Sequence, residues 1–171
     1  MSRPAFTLRP ATAADSETLF NLILALAEYE KLTHLVEATP QKIEEALFGA
    51  TPHAEAVLVE VETEVDANGA PKAVGFALFF HNFSTFLAKP GLYLEDLYVD
   101  PAWRGHGLGK ALLQHLAALA LERGCGRFEW SVLDWNQPSI DFYQAMGADV
   151  LPDWRICRVT GDALARLGQS K

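Results

Sequence analysis

The segment Arg104-Gly105-His106-Gly107-Leu108-Gly109-Lys110 combines three glycines with two cations at the start of a helix-period apolar run. Glycine lacks the Cβ that holds an anion away from backbone N–H groups. A helix beginning here adds unpaired N–H donors and the positive end of its dipole. Arg104 and Lys110 contribute charge, so the loop has the chemistry of a phosphate site. It is not a Walker loop, since Ala111 follows Gly109-Lys110 where Ser or Thr is required. Its glycines, spaced two apart, also miss the dinucleotide-binding spacing.

The loop must be held between a strand and a helix. Leu92 to Val99 reads as that strand, Asp100-Pro101 as the turn, and Leu108 to Arg123 as the helix. Upstream, Phe6 to Arg9 is a short strand closed by Pro10. Thr12 is placed to cap a helix whose Leu19, Leu22, Ile23, Leu26 and Ala27 share one face and which runs to about Tyr29 or Lys31. Pro40 opens a second helix that carries Ile43, Ala46 and Leu47 inward. Ala54 to Glu62 and Ala73 to Phe80 are strands around a turn at Asp66-Ala67-Asn68-Gly69, the second with so little alternation that both faces are expected to be covered. Arg127 to Leu133 is a further strand. Ser139 to Met146 is a short helix ended by Gly147, Trp154 to Thr160 a last strand, and a short helix follows Gly161. Runs of strands joined by a hairpin argue against a Rossmann arrangement and for an α/β sandwich around one central sheet.

A chain of 171 residues, half of them hydrophobic and 21% charged, is expected to form one domain, residues 1–171, with a substantial core. Its net charge of -8 argues against nucleic acid as a partner and tilts toward a cationic one. Cys125 and Cys157 form no CxxC pair, and the five histidines lack ligand spacing, so no metal site is expected. Asp15 and Glu17 fall where a signal peptide needs apolar residues, and no apolar run would span a bilayer; the expected location is cytoplasmic.

The strand, the Arg104-x-x-Gly107-x-Gly109 loop and helix, and then Trp135-Asn136-x-Pro138-Ser139-Ile140-x-Phe142-Tyr143-x-x-x-Gly147-Ala148 together resemble the GNAT superfamily of acyl-CoA-dependent N-acetyltransferases. Arg9 to Asp15, Leu92-Tyr93-Leu94-Glu95-Asp96 and Val132 to Gln137 are most similar to the diamine (spermidine/spermine) and thialysine N-acetyltransferases. The resemblance implies a mixed, mostly antiparallel central sheet with helices on both faces, split at a cleft for acetyl-CoA. It implies that Leu97, Tyr98 and Val99 offer backbone groups to the pantetheine arm. Arg104, Gly105, His106, Gly107, Leu108, Gly109 and Lys110 would wrap the pyrophosphate, and Asn136 and Ser139 would touch the cofactor from the other wall. Asn136 is equally placed to cap the helix that follows.

Transfer to an alkylamine requires removing a proton from a group of pKa ~10.4, a cost of roughly 4 kcal/mol at neutral pH. Glu95, a carboxylate in mid-strand beside the cleft, is the candidate base. Tyr143 resembles the family's general acid for the departing thiolate, against the rival reading of a core tyrosine. An ammonium acceptor calls for carboxylates and aromatic faces. The candidates are Glu30, Glu95 and Asp96 with Tyr29, Trp130 and Trp154, and Glu129 in competition with Trp130, since strand alternation sends those two to opposite faces.

Polyamine-specific enzymes carry Asp-Pro-Trp just before the strand, where this chain has Phe83 to Gly91 with a lysine, which favours a shorter amine. The expected activity is therefore acetyl transfer to a small primary amine: a diamine, a polyamine or a lysine analogue such as thialysine. The alternatives are a protein or peptide N-acetyltransferase and a non-catalytic acyl-CoA sensor. Family members are usually dimers, and Phe83, Phe86 and Leu87 are available for an interface.

Overall fold

The computed structural model describes residues 4–67 and 69–169, which cluster into two compact units, one reaching to Ser131 and the other beginning at Val132. The first contains five strands in the order β1 (Phe6–Pro10), β2 (Glu55–Val65), β3 (Pro71–Ser84), β4 (Lys89–Val99) and β5 (Phe128–Trp130). The first four pair antiparallel and β5 joins β4 in parallel, so the sheet is mixed and mostly antiparallel. Between the strands lie α1 (Ser16–Glu30), α2 (Pro40–Phe48) and α3 (Leu108–Glu122).

Helices cover both faces because the strands are apolar on both. Ala56 and Leu58 of β2, Phe76 of β3 and Tyr98 of β4 pack with Leu19 and Leu22 of α1 and Ile43 of α2. The intervening Val57, Val59, Ala77, Phe79, Leu92 and Leu94 turn to the opposite face, against which α3 packs and where its Leu108, Leu112 and Leu116 are buried. The unbroken apolar run of β3 thus has helices on both sides, as its lack of alternation implies.

Local chemistry sets the element ends. Thr12 forms a capping box with Asp15, but around a 3-10 turn, Ala13–Asp15, from which α1 then starts at Ser16. The Thr39 hydroxyl accepts from the Lys42 N–H with Pro40 in the first turn of α2. The β2–β3 turn is closed by the Gly69 N–H on the Asp66 carbonyl, Gly69 having φ 81; Asn68 of the expected turn lies outside the described residues.

The second unit holds α4 (Gln137–Ala145) and α5 (Gly161–Gln169). Gly147, at φ 94, follows the end of α4 and its N–H bonds the Gln144 carbonyl, the role expected of it. The strand expected over Trp154–Thr160 does not form. Its residues have no ladder partner among the described residues, and apolar alternation alone does not make a strand without a neighbouring edge. The strand expected over 127–133 is likewise confined to Phe128–Trp130, the stretch that pairs with Leu92–Leu94.

Candidate active site

Two irregularities in β4 open the sheet. On the β5 side, pairing stops at Leu94 with Trp130, so Glu95 to Val99 have no ladder partner on that edge among the described residues. On the β3 side, Phe79 faces Leu94 while the next residue back, Leu78, faces Asp96, leaving Glu95 as the extra residue of a β-bulge.

The bulge decides where the carboxylates go. Leu94 lies on the α3 face, so alternation sends Glu95 to the α1 face. Asp96 also lies there, because it precedes Tyr98 by two in a regular stretch and Tyr98 packs into the α1 cluster. Without the bulge, adjacent carboxylates would point to opposite sides. Glu30, in the last turn of α1, is near enough that its charge and that of Glu95 both disfavour ionisation of Asp96. Burial is the larger cause, and together they lift the Asp96 carboxyl to about 6. Burial also raises Glu30 above the usual carboxylate range. Three carboxylates thus meet at the end of α1, and Glu95 is exposed.

The open edge has a definite hydrogen-bonding phase. The Asp100 N–H donates to the Val74 carbonyl of β3. In an antiparallel ladder the backbone groups of alternate residues point the same way, so Asp96 and Tyr98 also address β3, while Leu97 and Val99 turn their N–H and C=O to the open edge. Leu97 and Val99 thus turn their backbone groups to the open edge, while Tyr98 spends its backbone on the sheet and its ring on the core.

Beyond β4, the Asp100 carboxylate accepts from the Ala102 N–H and a 3-10 turn, Pro101–Trp103, leads into the glycine loop. Gly105 and Gly107 have φ 80 and 84, values that a side chain would make costly. Gly107 is the N-cap of α3, whose first N–H groups, from Leu108, Gly109 and Lys110, precede the first intrahelical donor, Ala111, which bonds the Gly107 carbonyl. His106 lies beside Trp103, ring centroids 6.3 Å apart. This is a backbone cradle able to take a phosphate, with exposed Lys110 in the first turn. Arg104 is turned elsewhere: its Nε donates to the Val99 carbonyl at 2.9 Å and its guanidinium lies 4.6 Å from the centroid of the Tyr29 ring.

Glu129 and Trp130 do divide between the faces. Trp130 pairs with Leu94 on the α3 face, its ring 4.9 Å from that of Phe128. Glu129 takes the carboxylates' face but is already engaged, by Arg127 Nε at 2.9 Å and by Asn82 Nδ2 at 3.1 Å. In the second unit, the Asn136 side chain accepts from the Ser139 N–H at 3.4 Å, capping α4, with Pro138 in its first turn. Tyr143 sits in the last turn of α4 with its ring 5.5 Å from that of Phe142. Trp154 lies in the irregular stretch between α4 and α5. Sequence reasoning missed the contact of Arg104 with Tyr29 and the engagement of Glu129. Both join residues distant in the chain, and no local pattern announces them.

The candidate site is thus a mixed sheet parted beside a mid-strand bulge, with a glycine cradle at the start of the next helix. Residues 19–148 match the model of the acetyltransferase (GNAT) family, and the chain belongs to that family of enzymes. It is 35% identical to the L-ornithine N5-acetyltransferase NATA1 of Arabidopsis thaliana, over 92% of this chain and 85% of that protein. It is 34% identical to the thialysine N-epsilon-acetyltransferase of Bos taurus, over 94% and 95% respectively. Among solved structures, an integron cassette protein from the mobile metagenome of V. cholerae shares the fold, with a TM-score of 0.77 at 22% identity, covering 96% of this chain and 98% of that one.

Proposed function

We propose that this enzyme transfers the acetyl group of acetyl-CoA to the primary amine of a small cationic molecule, by direct attack while donor and acceptor are bound together. The observation that carries this reading is the bulge at Glu95, which puts Glu95 and Asp96 on one face of β4 beside its unpaired edge. Acetyl-CoA supplies an activated thioester. Leu97 and Val99 present backbone groups to its pantetheine arm, and the cradle from Gly105 to Lys110 takes the pyrophosphate.

Glu95, exposed at the bulge, accepts the proton of the attacking amine directly or through water. Asp96 and Glu30 hold the ammonium form of the acceptor, whose charge offsets the burial and the repulsion that raise Asp96. By the family resemblance, Tyr143 has the role of returning a proton to the leaving thiolate, and Asn136 and Ser139 have roles in donor binding. The acceptor class is a short diamine or an amino acid with a side-chain amine, in keeping with the ornithine and thialysine acceptors named for the relatives. Trp154 and Tyr29 are the aromatic groups assigned to that acceptor. The enzyme acts in the cytoplasm as a homodimer, with exposed Phe83, Phe86 and Leu87 around the β3–β4 turn in the contact.

The test is thiol release from acetyl-CoA with ornithine, thialysine, lysine, putrescine, spermidine and an N-terminal peptide as acceptors. Turnover of a small amine that E95Q and Y143F severely reduce supports the reading. Turnover of the peptide alone, or of nothing despite donor binding, overturns it.

A further inference from the structure

We infer that Arg104 is a positioning residue for the acceptor, fixing the end of α1 to the open edge of β4, and not a ligand of the donor's phosphates. Its side chain engages one carbonyl and two aromatic rings among the described residues of the first unit. Nε donates to the Val99 carbonyl at 2.9 Å, and the guanidinium lies 4.6 Å from the Tyr29 ring centroid and 5.8 Å from that of Tyr98. Val99 belongs to the edge assigned to the donor. Tyr29 precedes Glu30, one of the carboxylates assigned to the acceptor. The inference rests on that functional reading, since only there do these residues serve two substrates.

The geometry suits a strut. A guanidinium is flat and stacks on an aromatic face while donating in its own plane, so one side chain can hold a ring and a carbonyl together. The last turn of α1 carries the ring that Arg104 holds. It ends at Lys31 in the left-handed conformation, φ 62, and the chain turns away into a short 3-10 segment. Fixing the Tyr29 ring fixes the turn that carries Glu30, and with it the spacing of Glu30 from Asp96. Lys110, exposed beside the first N–H groups of α3, leaves the phosphate cradle with a cation of its own.

Initial rates of the wild type, R104A, R104K, Y29L and R104A/Y29L, each with acetyl-CoA and with S-acetylpantetheine, which carries no phosphate, decide the matter. Losing a cation–π contact of ordinary strength corresponds to about a fivefold rise in acceptor KM. That rise is expected in R104A with either donor, is not rescued by R104K, whose ammonium cannot stack and donate in one plane, and adds nothing to whatever rise Y29L shows when the two are combined. An effect of R104A confined to the KM of acetyl-CoA, absent with S-acetylpantetheine or restored by R104K, overturns the inference. Wild-type turnover is a separate control on the functional reading. If it fails, the acceptor role fails with it, and calorimetry with acetyl-CoA decides the other half: weakened affinity in R104A makes Arg104 a phosphate ligand, and unchanged affinity excludes that.

Discussion

Leu78 on β3 faces Asp96 on β4, although its neighbour Phe79 faces Leu94. That one-residue slip gives Glu95 and Asp96 the same face, and it bends β4 where its other edge is unpaired. The proposed base and the proposed cation-binding carboxylate thereby stand side by side. The E95Q variant keeps size and loses basicity, so its kcat should fall by about a hundredfold to a thousandfold while acceptor KM changes little. Steady-state thiol release, with circular dichroism to confirm folding, checks this.

Asp96 should make acceptor binding pH-dependent. Its carboxyl stands at about 6, so it is partly protonated in mildly acidic solution, and a bound ammonium favours the ionised form. Acceptor affinity should therefore strengthen as pH rises through about 6 and level off above, whereas D96N should be flat across this range. In the free enzyme the linkage runs toward acid: the stability contributed by protonated Asp96 is present below the ordinary carboxylate pKa and lost as pH rises through about 6. Calorimetric titration between pH 5 and 8 reads the first effect, and a slope that persists in D96N would contradict it.

The turn before α1 should govern acid stability. Arg9 holds Asp15 through two 2.8 Å hydrogen bonds and also bonds Glu60, and Thr12 adds its N–H to Asp15 at 2.7 Å. Hydrogen bonding from Arg9 is the main cause that keeps the Asp15 carboxyl down at about 2. A carboxylate depressed by about two units contributes on the order of 2 kcal/mol above its unfolded pKa. That contribution should disappear as pH falls from about 4 to about 2. Urea unfolding of D15N should show a loss of this order at pH 7 and a shallower acid transition.

The glycine cradle should tolerate no side chain. A Cβ on Gly105 would meet no atom within 4 Å, yet the residue's φ of 80 lies where side chains are costly. G105A should therefore lose roughly 1–2 kcal/mol through the backbone, without a clash. It should also raise the KM for acetyl-CoA and leave the acceptor KM unchanged. Unfolding midpoints and a donor titration check both halves.

If Tyr143 donates to the leaving thiolate during direct transfer, Y143F should reduce kcat by about tenfold to a hundredfold, less than a base substitution, because a thiolate is a good leaving group. Initial rates at varied donor and acceptor should give intersecting double-reciprocal lines. Parallel lines would indicate an acylated enzyme and sink the direct-attack mechanism.

The sequence by itself determined the elements whose signals are local. The glycines of the cradle, Pro40 and Thr39 at α2, Gly147 after α4 and the 3.6-residue spacing of Leu19 to Ala27 are short-range patterns, and each lies where its chemistry requires. Glu95 was legible as a candidate because a carboxylate in mid-strand is out of place, and Asp96 and Glu30 because an ammonium acceptor calls for carboxylates. Only the tertiary structure decided their common face, since the bulge is a mismatch between two strands and belongs to neither. The same holds for the ties of Arg9 to Glu60 and Arg104 to Tyr29, which form after distant segments meet. It holds also for the strand expected at Trp154–Thr160, whose residues find no ladder partner among the described residues.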